Sequence, residues 1–444
     1  MKVLKFGGTS VGSPESIRNV REIVALQPGK KLLVLSAMSG VTNQLVAISE
    51  LVKSGSFEEI DSIISELKQK HESAIDELLP EKEINTSAKL CISEILGQLR
   101  ETAQNNYSER IYSELVTYGE SMLTYIFSRY LDSCGVQNVL LDAKEFMHVS
   151  NLENPDTSVV GALLQKPMNR EESEIYITQG FVRIDKNNNI NTLKRGGSDF
   201  TATIVGAAID AEEIQIWTDI DGFHNNDPRY VEDTHPISNL TFEEAAELAY
   251  FGAKILHPQT VSPVIDKNIP IYLKNTFTPD SHGTRISSDH KNNGLKAISA
   301  KDGITAIKIR SNRMLMAHGF LKKIFEVFDK YETAIDMITT SEIAISLTID
   351  DVRNLDQILE ELESYGEITV EKEHSIICIV GESVIEDKDT YKLFELLNEI
   401  PVRMISYGGS SNNISLLVDT QNKIATLRQL NAKLFARRHT ANFV

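Results

Sequence analysis

Several residue types are scarce in this chain of 444 residues, and each scarcity excludes a class of protein. The three cysteines, at positions 91, 134 and 378, have neither the spacing of a zinc site nor the even number of a disulfide framework. No apolar run approaches the ~20 residues that a membrane-spanning helix requires. Glycines interrupt the first ten residues, MKVLKFGGTS, before any secretion signal can form. We therefore expect a cytoplasmic protein in a reducing compartment.

Positive charge is also scarce, because 45 lysines and arginines face 63 aspartates and glutamates and leave a net charge of −18. A chain this acidic binds nucleic acids and anionic membranes poorly, so neither is expected as a partner. Any phosphate-binding site must be a local feature. Apolar residues make up 41% and charged residues 24%, a composition typical of globular proteins rather than disordered or fibrous ones.

Short apolar strands alternate with helices over residues 1–290, which predicts an α/β domain with a largely parallel sheet. Val3–Phe6 and Lys31–Ser36 are the first two predicted strands, and the second is apolar enough to be buried. Ser13, followed by proline, has the pattern of a helix cap. Thr42 is predicted to cap the helix after the second strand.

Beyond a polar linker predicted at His282–Gly294, the elements become shorter. Residues 301–372 have the order β-α-β-β-α-β of a ferredoxin-like unit. Residues 373–444 start the same order again but end without a convincing final strand. We predict that residues 295–300 supply that strand, so that the first unit is inserted into the second. A separate linker strand is the alternative.

A glycine-containing motif, Lys5-Phe-Gly-Gly-Thr-Ser10, follows the first strand. It matches neither the dinucleotide-binding fingerprint nor the P-loop. Gly7 and Gly8 can nevertheless bring backbone N–H groups close to a phosphate, and Lys5 can reach the same group as a point charge. A tight turn with an exposed lysine is the equally balanced alternative.

Two further loops each precede a predicted helix. Residues 36–43 (SAMSGVTN) combine hydroxyl groups with a glycine, which suits an anionic ligand, although an ordinary loop with a threonine cap explains them too. Residues 195–199 (RGGSD) place a carboxylate, Asp199, where it can hold a lysine or hydrated Mg²⁺ near phosphates. Arg195 offers a fork for a carboxylate. Simple helix capping explains Ser198 and Asp199 but not the paired glycines.

The loop over residues 217–229 carries aspartates but does not form a calcium site. His224 stands where a calcium loop needs glycine, and Tyr230 stands where it needs glutamate. Lys254 follows in Phe-Gly-Ala-Lys and offers a second cation for phosphates, although a lone lysine is more often solvated. No metal site of the protein's own is predicted.

Taken together, these motifs resemble an aspartate kinase of the amino-acid kinase family. Two later stretches, MLMAHGFL (314–321) and IDMITTSE (335–342), resemble the effector-binding segments of its lysine-sensitive monofunctional type. The resemblance covers nearly the whole chain and implies an amino-acid kinase fold followed by two ferredoxin-like ACT domains. The matching segments of the first part are KFGGTSV (5–11), SAMSGVTN (36–43), TYGE (117–120), RGGSDFTA (195–202), WTDIDGF…DPR (217–229) and FGAKILHP (251–258).

The resemblance implies ATP-dependent phosphorylation of the side-chain carboxylate of L-aspartate to 4-phospho-L-aspartate. This reaction is the first step toward lysine, threonine, methionine and, in bacteria, diaminopimelate. The residue chemistry agrees, because a carboxylate of pKa ~3.9 is already an ionised nucleophile at neutral pH. The site needs positioning and positive charge rather than a base. ATP and Mg²⁺ are the implied cofactors, with Mg²⁺ held mainly through ATP.

The resemblance also implies residue roles. Lys5 stabilises the transferring phosphoryl group, and Asp199 orients Lys5 and the Mg²⁺-bound phosphates. The implied aspartate-binding residues are Thr42, Glu120, Arg195 and Ser198, with Arg195 on a substrate carboxylate and Glu120 near the ammonium. The implied nucleotide-binding residues are Lys5, Gly7, Gly8, Thr218, Asp219, His224, Arg229 and Lys254. His224 departs from the tyrosine frequent in relatives, which leaves the adenine-side contact open.

L-lysine is the implied feedback inhibitor. Asp336 and Glu342 supply anions for its ammonium groups, and Phe320 belongs to an apolar wall, although such apolar residues can equally be core. The implied effector-binding residues are Met314, His318, Gly319, Phe320, Leu321, Ile335, Asp336, Ser341 and Glu342. ACT units usually pair between subunits, so a homodimer or a dimer of dimers is expected.

Two alternative functions stay open at this point. One is another amino-acid kinase, of the glutamate or acetylglutamate type. The TYGE motif and the paired ACT units disfavour this alternative. The other is a catalytically silent amino-acid-binding regulator. Threonine or S-adenosylmethionine also remain possible effectors in place of lysine.

Overall fold

The structure is a computed structural model that describes residues 1–194, 196–252, 255–289, 294–311, 318–386, 390, 393–394 and 400–435. The site positions Arg195, Lys254 and Met314 lie outside the described residues. The chain divides into two units. The first unit comprises residues 1–223, 236–242 and 256–289, and the second comprises 224–235, 243–255 and 290–444.

Helices account for much of the described chain, including most of residues 56–133. No helix among the described residues is long and apolar enough to cross a membrane. The α-helices are α1 Pro14–Leu26, α2 Val41–Ser54, α3 Ile60–Leu78, α4 Lys82–Ala103, α5 Glu109–Val116, α6 Tyr118–Ser133, α7 Thr157–Arg170, α8 Gly197–Ala208, α9 Phe242–Tyr250, α10 Ser262–Ile265, α11 Phe320–Lys330, α12 Leu355–Leu362 and α13 Lys423–Leu434.

The first unit contains an eight-stranded sheet in the order β3-β4-β2-β1-β7-β9-β10-β8. All neighbouring strands pair in parallel except β9 and β10. Strands β5 and β6 pair antiparallel and form a separate hairpin. The strands are β1 Lys2–Phe6, β2 Lys31–Leu35, β3 Val139–Leu140, β4 Ile175–Gln179, β5 Val182–Ile184, β6 Ile190–Thr192, β7 Ile214–Thr218, β8 Asn239–Thr241, β9 Ile271–Asn275 and β10 Thr284–Ser287.

The first residues of α1 agree with the predicted helix cap, whereas those of α2 do not. The hydroxyl of Ser13 accepts the N–H of Ser16 and caps α1, as predicted. The prediction that Thr42 caps α2 is wrong. Gly40 occupies the cap position with φ of 81°, and α2 starts at Val41, so Thr42 lies in the first turn. A left-handed residue at this position favours glycine because it has no Cβ.

The central strands β1 and β2 are buried on both faces, which explains why all their residues except Lys2, Lys5 and Lys31 are apolar. On one face Leu4, Phe6, Leu33 and Leu35 belong to a core shared with α1 to α6. Because β1, β2 and β7 run parallel, their carboxyl ends meet at one edge of the sheet. Open α/β sheets bind ligands at this edge.

The second unit contains a six-stranded antiparallel sheet in the order β12-β13-β11-β14-β16-β15. Residues 295–300 lie in β11, where Ile298 pairs with Ile379, and the other half of β11 pairs Ile309 with Ile368. The predicted boundaries at 301 and 373 thus fall inside two continuous strands. The strands are β11 Gly294–Arg310, β12 Met337–Thr340, β13 Ala344–Ile349, β14 Glu367–Glu382, β15 Val402–Ser406 and β16 Asn413–Asp419.

Each half of this sheet has its own apolar core. Helices α11 and α12 pack on one half through residues such as Phe328 and Ile358. Helix α13 packs on the other half through Leu427 and Leu430. Two cores on one sheet agree with the ferredoxin-like pattern in the sequence.

Candidate active site

A cavity of about 530 Å³ lies at the carboxyl edge of the sheet in the first unit. It is formed by the residues after β1, β2 and β7 and by the first turns of α2, α6 and α8. Of the predicted site residues, the cavity contains Lys5, Gly7, Gly8, Thr42, Glu120, Ser198, Thr218 and Asp219. The other lining residues are Thr9, Ser36, Ala37, Met38, Ser39, Gly40, Asn43, Phe181, Lys194, Gly196 and Gly197.

Lys5 and Asp199 form an ion pair at this cavity. The Lys5 Nζ atom lies 2.7 Å from Asp199 Oδ1, and the two side chains are 11% and 13% exposed. Lys5 comes from β1 and Asp199 from the first turn of α8, so the sheet and the helix fix the pair from two sides. A lysine ammonium this deeply buried needs a counter-charge, and Asp199 provides it. The pair therefore delivers a positioned positive charge to the cavity.

The backbone N–H of Gly7, the first residue after β1, already has a hydrogen-bond partner. The N–H of Gly7 donates to the carbonyl oxygen of Trp217 at 3.1 Å. The prediction that Gly7 donates this N–H to a phosphate is therefore wrong, because the bond to Trp217 joins β1 to β7. A Cβ at Gly7 would lie 3.3 Å from Lys5 Nζ, so the glycine leaves room for the ammonium.

Glu120 is a buried carboxyl group that lines the cavity. It lies in the first turn of α6 and is 3% exposed. Its Oε1 atom accepts the N–H of Ala37 at 3.3 Å, and its Oε2 atom has no hydrogen-bond partner among the described residues. Burial raises the pKa of Glu120 to about 8. A bound ammonium group would supply the missing partner and stabilise the ionised form.

Hydroxyl groups and helix ends complete the cavity wall. The Ser36 hydroxyl donates to the Ser198 oxygen at 2.9 Å, which joins the loop after β2 to the start of α8. Thr42 lies in the first turn of α2. The positive ends of two helix dipoles thus meet here, and such ends favour anionic ligands.

The predicted nucleotide-binding residues are divided between the two units. Thr218 and Asp219 line the cavity, and the Thr218 hydroxyl donates to Asp219 Oδ1 at 3.2 Å. His224 and Arg229 belong to the second unit. There, His224 Nδ1 lies 3.0 Å from the Thr234 hydroxyl, and Arg229 bonds Asp227.

Two lining residues lie outside the motifs found in the sequence. Lys194 and Phe181 both have a left-handed backbone, with φ of 61° and 70°. Such strained positions in non-glycine residues cluster at functional sites, but no local sequence pattern marks them. The only available signal for Lys194 is its place directly before the Arg-Gly-Gly motif.

No group of three or more His, Cys, Asp or Glu side chains within the described ranges is arranged to hold a metal ion. Asp199 is paired with Lys5, and Asp219 lies exposed at the cavity. Mg²⁺ commonly uses one or two carboxylates together with substrate phosphates. These two carboxylates fit Mg²⁺ that arrives with a nucleotide.

The predicted effector residues lie in the second unit. Gly319 precedes α11 with φ of 80°, and Phe320, the first residue of α11, is 9% exposed and belongs to an apolar core. Leu321 is 40% exposed. The Asp336 side chain is fully buried against Tyr250 and Lys301. Of the remaining effector residues, Ile335 is half-buried, and those exposed are His318, Ser341 and Glu342.

Comparisons with known proteins cover nearly the whole chain. The amino acid kinase family profile matches residues 1–275, and an ACT domain profile matches residues 377–434. Lysine-sensitive aspartokinase 3 of Escherichia coli strain K12 is 32% identical over 448 residues, which cover 98% of this chain and 99% of the relative.

Two solved structures of E. coli aspartokinase III also match. The complex with aspartate and ADP, in the R-state, has a TM-score of 0.84 at 30% identity and covers 98% of this chain and 100% of its own. The complex with lysine and aspartate, in the T-state, has a TM-score of 0.78 at 30% identity, with coverage of 98% and 99%.

Proposed function

Because the chain belongs to the amino acid kinase family and is an aspartokinase, we infer that it transfers the γ-phosphoryl group of ATP to the side-chain carboxylate of L-aspartate. A carboxylate oxygen forms the new bond to the γ-phosphorus while the bond to the β–γ bridging oxygen breaks. The products are 4-phospho-L-aspartate and ADP. This step opens the pathway to the aspartate-family amino acids.

The observation that carries the mechanism is the ion pair between Lys5 and Asp199 at 2.7 Å, beside the cavity that also holds Glu120. An anionic carboxylate must approach an anionic phosphate, so charge repulsion is the main barrier that the site can lower. We assign to Lys5 the neutralisation of charge on the transferring phosphoryl group. Asp199 holds the Lys5 ammonium in place.

Substrate recognition follows from the charges of aspartate, which has two carboxylates and one ammonium. Glu120 is the anion assigned to the ammonium, because its Oε2 atom is buried and unpartnered within the described ranges. Ser198 and Thr42 offer hydroxyl donors to the carboxylates. Arg195, outside the described residues, keeps its assignment to a substrate carboxylate from the sequence.

ATP is proposed to bind with Mg²⁺, with Thr218 and Asp219 as contacts from the cavity wall. Asp199 and Asp219 would hold the ion together with phosphate oxygens, and the ion would draw charge from the transferring group. His224, Arg229 and Lys254 keep the nucleotide-binding assignments that the sequence resemblance implies. Gly8 is retained as a backbone donor, whereas Gly7 is not.

L-lysine is the proposed feedback inhibitor, and it would bind in the second unit around Asp336. We also propose a homodimer, or a dimer of dimers, that assembles through the ACT domains. Ile338 on the edge strand β12 and Ile405 on the edge strand β15 are partly exposed apolar residues in support of it. Three unpaired cysteines support a reducing, cytoplasmic location.

The first experiment measures aspartyl-hydroxamate formation by the purified protein with ATP and Mg²⁺, while L-lysine is titrated. We expect turnover on aspartate and a decline as lysine rises. Turnover on glutamate or acetylglutamate instead would support another amino-acid kinase. No turnover from a folded protein would support a silent regulator, and turnover indifferent to lysine would direct attention to threonine or S-adenosylmethionine.

A matched pair of variants tests the role of Lys5. Lys5→Met removes the ammonium at the cavity, and Lys2→Met removes another paired lysine of β1, whose Nζ atom lies 2.9 Å from Glu213 Oε1. Loss of a preorganised charge that acts on the transition state costs about 10²-fold to 10³-fold in kcat. We expect that loss for Lys5→Met and little change for Lys2→Met. Near-normal kcat in Lys5→Met would contradict the assignment.

A further inference from the structure

Asp336 belongs to a cluster of charged groups in the second unit. The Tyr250 hydroxyl donates to Asp336 Oδ1 at 2.7 Å, and Lys301 Nζ lies 2.7 Å from the same atom. Lys301 Nζ also lies 2.9 Å from Asp350 Oδ2 and 4.2 Å from the centre of the Tyr250 ring. A primary ammonium from the chain itself is therefore bound by two carboxylates and an aromatic face.

The chain's own groups do not saturate this cluster. It contains two carboxylates but one ammonium. The Asp336 Oδ2 atom is buried and has no hydrogen-bond partner in the part of the chain that the structure describes. A buried carboxylate oxygen without a donor is costly, so the cluster is suited to accept a further cationic donor.

Access to Asp336 is closed as long as its neighbours keep their positions. The Asp336 side chain is 0% exposed, whereas Lys301 is 16% and Asp350 is 40% exposed. An ammonium from solution can therefore reach Asp336 only if a covering group moves. Lys301 has a long flexible stem and a second, partly exposed partner in Asp350, so its ammonium can leave Asp336 without losing every counter-charge.

We propose that Lys301 is a built-in competitor of the effector, whose ammonium occupies the Asp336 carboxylate and must be displaced onto Asp350 before free lysine binds. This inference rests on the proposed role of Asp336 in effector binding. Lys301 thereby sets the lysine concentration at which inhibition starts. Asp350 receives the displaced ammonium and makes the exchange easier.

The size of the effect follows from occupancy. A ligand that binds only the competent form shows an affinity reduced by the competent fraction. An ion pair that is intact in about nine molecules of ten would raise the half-inhibitory lysine concentration about tenfold. Removing the Lys301 ammonium should therefore lower that concentration about tenfold.

Three variants test the proposal at pH 8 in the full-length enzyme, each normalised to its own uninhibited rate. Lys301→Met should lower the half-inhibitory lysine concentration about tenfold, and Asp350→Asn should raise it. Lys330→Met is the matched control, because Lys330 Nζ lies 2.6 Å from Glu361 Oε2 and 5.0 Å from the Tyr331 ring. It should leave the threshold unchanged.

The half-inhibitory lysine concentration should shift in opposite directions in Lys301→Met and Asp350→Asn. General damage to the fold would not produce opposite shifts, so this result would indicate displacement of the Lys301 ammonium. Calorimetric titration with L-lysine measures binding independently of turnover, and Lys301→Gln replaces the methionine variant if the latter is insoluble. If lysine inhibits the wild-type enzyme but the half-inhibitory lysine concentration of Lys301→Met is unchanged or raised, the competitor role of Lys301 is wrong and the proposed effector role of Asp336 is unaffected. A wild-type enzyme that neither binds nor responds to lysine overturns the proposed effector role, and the inference with it.

Discussion

The affinity for aspartate should depend on pH through Glu120. Burial raises the pKa of this carboxyl group to about 8, so it is mostly protonated at neutral pH in the free enzyme. The substrate ammonium needs the ionised form, and binding must therefore release a proton. Raising the pH from 6.5 to 8 should lower the KM for aspartate while leaving kcat at saturating aspartate nearly unchanged.

The magnitude follows from the ionised fraction of Glu120. With a pKa of about 8, roughly 3% of the carboxyl groups are ionised at pH 6.5 and roughly half at pH 8. The KM for aspartate should fall about 15-fold between these two pH values. At pH 8 about half of the Glu120 carboxyl groups are already ionised, so a further rise in pH can lower the KM for aspartate only about twofold more.

The assay is steady-state hydroxamate formation at saturating ATP and Mg²⁺ over this pH range. Glu120→Gln is the control, because it keeps the shape of the side chain but cannot titrate. The KM of Glu120→Gln for aspartate should be high and nearly independent of pH. A pH dependence that arises from ATP or from other titrating groups would still be seen in this variant. A flat KM in the wild type, or an equal fall in Glu120→Gln, would refute the reasoning.

Three further predictions concern other parts of the molecule. Burial lowers the pKa of His71 to about 4 from 6.5, so the free energy of unfolding should fall by about 2.5 kcal/mol between neutral pH and pH 4.5, measured by urea denaturation; His71→Leu should remove most of this dependence. In Gly119→Ala the new Cβ would lie 2.7 Å from the Ala37 Cβ, so kcat/KM for aspartate should fall at least about tenfold without loss of the folded state by circular dichroism. Phe320→Ala should raise the half-inhibitory lysine concentration and lower the melting temperature, because it leaves a cavity worth about 3 kcal/mol; an unchanged lysine response would remove Phe320 from the effector site.

The sequence predicts the layout of the first unit well because strand–helix alternation determines which residues meet. Lys5 lies near the carboxyl end of a buried strand and Asp199 lies in the first turn of a helix. Parallel strands bring such positions to one edge of the sheet. The same logic cannot show that the Gly7 N–H is already bonded to Trp217. It also cannot reveal the left-handed backbone of Lys194, which tertiary contacts impose.

The sequence is less informative about the second unit, where long-range pairing decides the outcome. Lys301, Asp302 and Gly303 have the composition of a break between two strands, yet β11 continues through them with register shifts opposite β14. The cluster around Asp336 joins residues that are far apart in the sequence. Tyr250 lies 86 positions from Asp336, and no local pattern indicates that the two side chains meet.

The continuous strands β11 and β14 also have a consequence for the order in which the chain is made. The first half of β11 leaves the ribosome well before its partner Ile376–Val380, whereas the second half meets the nearer strand β13 sooner. An unpaired strand edge in a growing chain is prone to wrong pairing. The half of the sheet with α11 and α12 can thus form early. The other half cannot form until β14 and β16 have been synthesised, although the first half of β11, which belongs to it, is synthesised before them.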